Sequence, residues 1–269
     1  AKRFVYRNGC LHQVKMPPGF FLSPLLSLPG RLRLCCEPLI PQKRDEGEES
    51  IFEFAARRIG KEAAQIMVGA MVLGIYGGDA RQLSMAHCFP RMVKMERDYG
   101  GLFKALMAIR KERAASPAGP PGTLTTFKGG IGALPARAAA ALGDRIRFNA
   151  PVTRIAAIRD GYEVTVGEGE TLSARAVVMA TPAHAAAGMV RELHPEAARA
   201  LADIPYAGLT VACLGYPRSA IGHDLDGFGF LVPRGQNLRL LGCIWTSNLF
   251  PFEAPDGSVL LRVMFGGAP

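Results

Sequence analysis

No G-x-G-x-x-G occurs anywhere in the 269 residues. Its absence excludes, within this chain, the glycine loop that seats a pyrophosphate at a helix N-terminus. None of the six cysteines (Cys10, Cys35, Cys36, Cys88, Cys213, Cys243) stands in a C-x-x-C, and no histidine lies at metal-ligand spacing from them. A zinc module and a disulfide framework are therefore not expected. The thiols read as reduced, cytoplasmic and mostly small hydrophobes in apolar contexts. No apolar run reaches the ~20 residues needed to cross a bilayer. No Lys/Arg run or aromatic-interleaved basic motif accompanies the net charge of +9, so nucleic acid is not an expected partner. The dispersed charge leaves open an attraction to anionic lipid or to a carboxylated ligand. No Ser/His/Asp triad, carboxylate pair or metal site stands out. His12, His87, His184, His194 and His223 are scattered and read as structural or exposed. Ala1-Lys2-Arg3-Phe4-Val5-Tyr6 has neither an initiator Met nor the apolar core of a signal peptide, as expected of a chain that starts inside a longer protein.

What is present is richer. A hydrophobic content of 49% is enough to bury one core or two. Arg3 to Val14 predicts a hairpin around the type I′ pair Asn8-Gly9. Gly19 to Pro29 is apolar but broken by proline. It reads either as a segment in a membrane interface beside Arg31, Arg33, Lys43 and Arg44, or as a cover over an internal cavity. Ile51 to Leu73 predicts two helices, with Ser50 as N-cap and Gly60 between them. The second is expected to bury Ala63, Ile66, Met67, Ala70 and Met71. Asp79 is expected to cap the next helix, Pro90 to interrupt it, and a further helical pattern to run to Glu112. Ala114 to Gly122 reads as a linker.

Thr126 to His184 carries the most information. Lys128-Gly129-Gly130-Ile131-Gly132 leads into a helix with Leu134, Ala138, Ala141 and Leu142 on one face. Strands are predicted at Arg145–Asn149, Val152–Ile158, Tyr162–Val166 and Ala176–Ala180, the last continuous and apolar. Open α/β sheets bind ligands at the carboxyl ends of their strands, and Thr181-Pro182 stands at such an end. The segment reads as the second half of a dinucleotide-binding domain. From Leu209 the pattern becomes antiparallel: 209–214, 228–232, 238–245 and 259–265, without crossover helices, hence a different domain.

Several motifs together resemble the flavin-dependent protoporphyrinogen oxidases, within the flavin amine oxidase superfamily. They are Phe4-Val5-Tyr6 with Asn8-Gly9 and Leu11-His12; Gly74-Ile75-Tyr76-Gly77-Gly78-Asp79 with Leu83-Ser84; and Cys88-Phe89-Pro90. Lys128-Gly129-Gly130 with Leu134-Pro135, Ala180-Thr181-Pro182-Ala183, and Gly227-Phe228-Gly229-Phe230-Leu231-Val232-Pro233 complete the set. The match spans nearly the whole chain in order and spacing, departing at Gly77, where the family usually has Ala.

The resemblance implies a partial FAD/NAD(P)-binding, Rossmann-like flavoprotein fold of the α+β / α/β class. Its parts would be an antiparallel-sheet substrate domain (1–15 and 202–269), a helical membrane-binding domain (16–116) and the second half of an FAD domain (117–201). The implied reaction is oxidation of protoporphyrinogen IX to protoporphyrin IX, with FAD as cofactor and O2 as acceptor. Arg3 would hold a propionate, which suits a bidentate guanidinium. Gly74 would let backbone approach the macrocycle, and Gly229, Leu231, Ile244 and Met264 would sandwich its rings. Val152, Ala180, Thr181 and Pro182 would lie on the FAD side. No catalytic side chain is named, because the flavin carries the redox chemistry. A bacterial, cytoplasmic protein with peripheral membrane contact is expected, and a homodimer stays open. The alternatives are coproporphyrinogen III oxidation, a desaturase or amine oxidase of the superfamily, or an inactive partial product. An amine oxidase should show an aromatic cage, and Trp245 is the single Trp.

Overall fold

The computed structural model describes residues 2–15, 19, 23–45, 47–115 and 125–268, with backbone alone for 110–115. It divides into two compact units, Ala1–Lys128 with Ala207–Pro269, and Gly129–Tyr206. The linker expected over 114–122 lies almost wholly outside the described residues, as do residues 20–22 of the apolar stretch.

The first unit opens with the predicted hairpin, β1 (Arg3–Arg7) and β2 (Cys10–Gln13). Asn8 and Gly9 turn it with φ 51° and 82°, the two positive φ values of a type I′ turn. A helical layer follows: α1 (Leu28–Cys35), α2 (Ile51–Ile59), α3 (Lys61–Ala63), α4 (Gly69–Tyr76), α5 (Met85–Cys88), α6 (Pro90–Tyr99) and α7 (Leu102–Ala115). The α2 start is a capping box: the Ser50 hydroxyl accepts from the Glu53 amide and the Glu53 carboxylate accepts from the Ser50 amide. Gly60, at φ 94°, ends the helix as predicted. Ala64–Val68 is a π-helical segment. It shifts the helical phase, so the expected stripe is only partly kept: Ala63 and Ala70 are buried, whereas Met71 is exposed and Ala64 and Val72 take the buried places. Asp79 does not cap a helix. Its carboxylate accepts from the Arg81 amide in a turn, and Ser84 caps α5. Leu25 and Leu26 of the proline-broken stretch are buried against Val5, Leu34 and Ala63, while Leu28 and Leu32 point outward.

The layer is tied together by buried charge. Glu37 and Arg58 have no exposed side-chain surface and form an ion pair. Arg58 Nε donates to Glu37 Oε1 at 2.9 Å. The same carboxylate accepts from the Leu102 and Phe103 amides at 2.7 and 3.1 Å, capping α7 from a distant segment. Arg57 bridges Glu49 and Glu96 with bonds of 2.7–3.0 Å.

The second unit holds α8 (Ala133–Leu142), a sheet of β3 (Val152–Ile158), β4 (Gly161–Val166) and β5 (Glu170–Ala174), then α9 (Ala183–Met189) and α10 (Pro195–Ala202). The sheet is an antiparallel meander in sequence order. Its core is Ile155 with Val190 and Ala198, flanked by Val152, Tyr162, Val177 and Leu201. Two predicted strands are not formed. Over Arg145–Asn149 the chain makes a 3-10 turn (Gly143–Arg145) and then irregular backbone. Ala176–Ala180 is likewise outside any strand, with Val178 91% exposed. A fully buried strand needs neighbours on both edges, and among the described residues none pairs with it. The expected face of α8 is exposed for the same reason, with Leu134 and Leu142 uncovered.

The chain then returns to the first unit as β6 (Leu209–Pro217), β7 (Gly229–Leu231), β8 (Leu240–Trp245), the short α11 (Thr246–Leu249) and β9 (Ser258–Gly266). The sheet order is β2-β1-β7-β8-β9-β6. It is not wholly antiparallel, since β1 runs parallel to β7. Sequence pattern alone does not show this, because the two strands are more than 200 residues apart.

Candidate functional site

The register of the six-stranded sheet brings distant residues into rows. Arg3 pairs with Gly229, Gly229 with Ile244, and Ile244 with Arg262. Two residues along, Val5 pairs with Leu231, Leu231 with Gly242, and Gly242 with Met264. Cross-strand partners share a face, as do positions two apart on one strand. Arg3, Gly229, Leu231, Ile244 and Met264 therefore belong to one face, together with Val5, Gly242 and Arg262. The alternate residues Phe4, Phe230 and Val263 pack with Cys243, Leu225 and Trp245 in a core on the other side.

Two glycines keep the first face low. Gly229 is buried at φ 138°, and a Cβ there would collide with the Cys243 carbonyl oxygen and lie 2.9 Å from Ile244 Cα. At Gly242 a Cβ would lie 2.5 Å from the Phe230 carbonyl oxygen. Gly74 plays the matching part on α4. A Cβ there would lie 2.5 Å from Leu231 Cδ2, so glycine is what lets α4 settle on the sheet beside the row. Arg3 is exposed, its guanidinium carbon 5.9 Å from the centroid of the Phe228 ring. The structure thus assembles all six positions expected on the substrate side, as a shelf of glycine and aliphatic side chains with arginines in it.

Gly242 and Arg262 were not expected here. Both were within reach of a period-two reading, since each lies two residues from a position already singled out (Ile244 and Met264). A cleft of about 710 Å³ opens elsewhere in the helical layer, lined by Lys43, Glu49, Phe54, His87 and Glu96 among others. Its walls carry paired charges, so the sheet face is the better platform for a flat apolar ligand.

The cysteines differ from expectation. Cys10, Cys35, Cys36 and Cys213 are exposed, and only Cys243 is buried. Burial pushes the Cys243 thiol up to about 11, leaving it almost wholly protonated at neutral pH. A thiol reagent applied to the native protein is expected to label the four exposed cysteines rapidly and to reach Cys243 only on unfolding. Mass spectrometry of the labelled peptides checks this, and native labelling at Cys243 would overturn it.

The residues expected on the FAD side all fall in the second unit. Val152 begins β3 and is half-buried against the Ile155, Val190 and Ala198 cluster. Ala180 and Thr181 lie in the irregular segment after β5 and are exposed, and Pro182 is the N-cap of α9. Tyr206 closes this turn, its hydroxyl accepting from the Ala183 amide at 2.9 Å. Residues 176–180 carry exposed apolar side chains at Val178 and Met179 and have no strand partner among the described residues. Such a surface fits a cofactor or further chain laid along it.

Residues 2–269 match the family described as flavin containing amine oxidoreductase. The chain belongs to that family. It is similar to protoporphyrinogen oxidase 1, chloroplastic, of Arabidopsis thaliana, with 33% identity over 100% of this chain and 54% of that protein. It is also similar to coproporphyrinogen III oxidase of Bacillus subtilis, with 27% identity over 100% of this chain and 59% of that protein. A crystal structure from Exiguobacterium sp. 255-15 superposes with a TM-score of 0.81 at 20% identity, covering 99% of this chain and 59% of that one. The chain spans about half the length of the curated relatives it matches. Its fold is accordingly a partial flavoprotein fold, and a flavin is the cofactor that the family's description names.

Proposed function

We propose that the protein containing this chain oxidises protoporphyrinogen IX to protoporphyrin IX, with FAD as cofactor and O2 as terminal acceptor. The observation that carries this reading is the sheet register, which gathers Arg3, Gly229, Leu231, Ile244 and Met264 from four strands onto one face. A porphyrinogen is a flat apolar macrocycle with acid arms, and this face offers apolar surface with the Arg3 guanidinium at its edge. Arg3 holds a propionate through a charge-assisted pair and so anchors the ring to the shelf. Leu231, Ile244 and Met264 pack on the ring, and Gly74 and Gly229 leave it room. Apolar contact also excludes water from the reacting carbons. When bound, FAD supplies the two-electron redox chemistry. Val152 and the 180–182 turn are the residues we assign to hold it. In this reading residues 1–15 and 202–269 form the substrate domain, 16–116 the helical membrane-binding domain and 117–201 part of the FAD domain.

The helical layer exposes Leu28, Leu32 and Leu39 at 64%, 60% and 81%, on α1 and the turn after it. We assign peripheral membrane contact to this ridge, and flotation with anionic vesicles checks it. Among the described residues no helix is long and apolar enough to cross a membrane. A homodimer rests on the resemblance alone.

The test is turnover of protoporphyrinogen by the full-length protein, followed as porphyrin fluorescence and O2 uptake. Porphyrin formation above the uncatalysed rate supports the reading, and none overturns it. A colourless 269-residue chain that ignores added FAD would assign activity to the parent protein alone. Within the active protein, Arg3→Ala is expected to raise KM about tenfold to a hundredfold with kcat little changed, since Arg3 contributes uniform binding. A fall in kcat at constant KM would sink that role.

A further inference from the structure

We propose that Arg262 is a second carboxylate-binding residue on the sheet face, so that the shelf also accepts a porphyrinogen bearing acid groups at opposite edges. The inference rests on the porphyrinogen reading above and concerns a residue to which that reading gives no part. Arg262 closes the same cross-strand row that Arg3 opens: Arg3, Gly229, Ile244, Arg262. Three inter-strand spacings separate the two arginine backbones, about 14 Å. Between them lie only a glycine and an isoleucine. An apolar span with a guanidinium at each end complements a flat apolar ring with carboxylates on both sides.

Arg262 is the only charged residue of β9, Ser-Val-Leu-Leu-Arg-Val-Met-Phe-Gly. β9 lies between β8 and β6, so this charge rises from the interior of the sheet rather than from its rim. One tie orients it: Nη2 donates to Glu253 Oε2 at 3.0 Å. Glu253 is mostly buried, at 14% side-chain exposure, while Arg262 keeps 44%. A guanidinium has five N–H donors in a planar fork. Glu253 takes one, and among the described residues no other acceptor pairs with Arg262. The carboxylate holds one end of the fork, and the remaining donors are left for a ligand. Glu253 is thus a positioning residue, and Arg262 the group that meets the substrate.

The experiment uses the full-length flavoprotein with two ligand pairs: protoporphyrinogen IX and coproporphyrinogen III for turnover, and the corresponding porphyrins for binding by fluorescence anisotropy. They carry two and four propionates. Arg262→Gln is expected to weaken coproporphyrin binding, and to raise KM for coproporphyrinogen, about tenfold or more. Protoporphyrin should change less than about threefold, and Arg262→Lys should recover part of the loss. A purely structural Arg262–Glu253 tie predicts otherwise: Arg262→Gln and Glu253→Gln would lower Tm alike and affect both ligands equally. Equal effects on the two ligands, or none on either, overturn the proposal while leaving porphyrinogen oxidation standing. If the wild-type protein binds and oxidises neither porphyrinogen, the underlying reading falls and takes this one with it.

Discussion

Replacing Glu37 by alanine is expected to cost about 3–5 kcal/mol of folding stability, the usual penalty for leaving a buried charge without its partner. Arg58 is fully buried, and its Nε and Nη2 both reach Glu37. Without that carboxylate, its nearest acid is Glu96 at 3.4 Å, which Arg57 already engages. The first amides of α7 lose their cap at the same time. The double variant Glu37→Leu with Arg58→Met should be much less damaged, because no unpaired charge remains. Urea unfolding of all three proteins checks this. A single variant within about 1 kcal/mol of wild type would show that water or backbone solvates Arg58 in its place.

The same network predicts how stability responds to acid. Burial acts to raise the Glu96 carboxyl, but hydrogen bonds and charge from Arg57, with help from the Lys43 amide and Arg58, outweigh it and hold it below the usual carboxylate range. A carboxyl depressed in the folded state contributes stability above its unfolded pKa and loses it as pH falls through the folded one. Acid loss from this group should therefore lie below the usual carboxylate range. That loss should shrink or vanish in Arg57→Met, where burial acts without its main opponent and the carboxyl is no longer held down. An acid-unfolding titration reads the difference.

The second large effect is expected at Gly229. An alanine there would face two penalties: φ 138° and a methyl driven into the Cys243 carbonyl oxygen. Both obstacles are backbone and cannot swing aside. A loss of about 3 kcal/mol or more follows. β7 would part from β8, and with it the row containing Arg3 and Ile244, so porphyrin binding should fall even where the protein remains folded. Gly257→Ala is the control. It shares positive φ, at 74°, but has open space around it, so only the backbone cost of about 1–2 kcal/mol applies. Thermal melts and porphyrin anisotropy compare the pair, and equal behaviour of the two variants would remove Gly229 from the argument.

Local chemistry was legible where it acts locally. Asn8-Gly9 and Ser50 with Glu53 specify their own turn and cap, because the interacting atoms are a few residues apart. The strand segments of the large sheet were legible from composition and turn residues, whereas the positions on its substrate side came from the family resemblance. The errors have a common cause. Ala176–Ala180 and Arg145–Asn149 have strand composition, yet a strand exists only when a neighbour accepts its hydrogen bonds, and composition does not report the neighbour. The phase shift at Ala64–Val68 has no signature in hydrophobic period either. Nothing in the local sequence marks Glu37 and Arg58 as a buried pair, since they are 21 residues apart and meet only when the fold closes around them.

By itself the sequence determined which segments turn, cap and alternate, and through its ordered motifs the family to which the chain belongs. Only the tertiary structure decided which residues share a face. Arg3, Gly229, Ile244 and Arg262 are hundreds of residues apart along the chain at the extremes, and slipping any one strand by a single residue would send its side chains to the opposite side of the sheet. That parity is set by long-range pairing and packing, so only the folded sheet puts Arg3 and Arg262 at the two ends of one row.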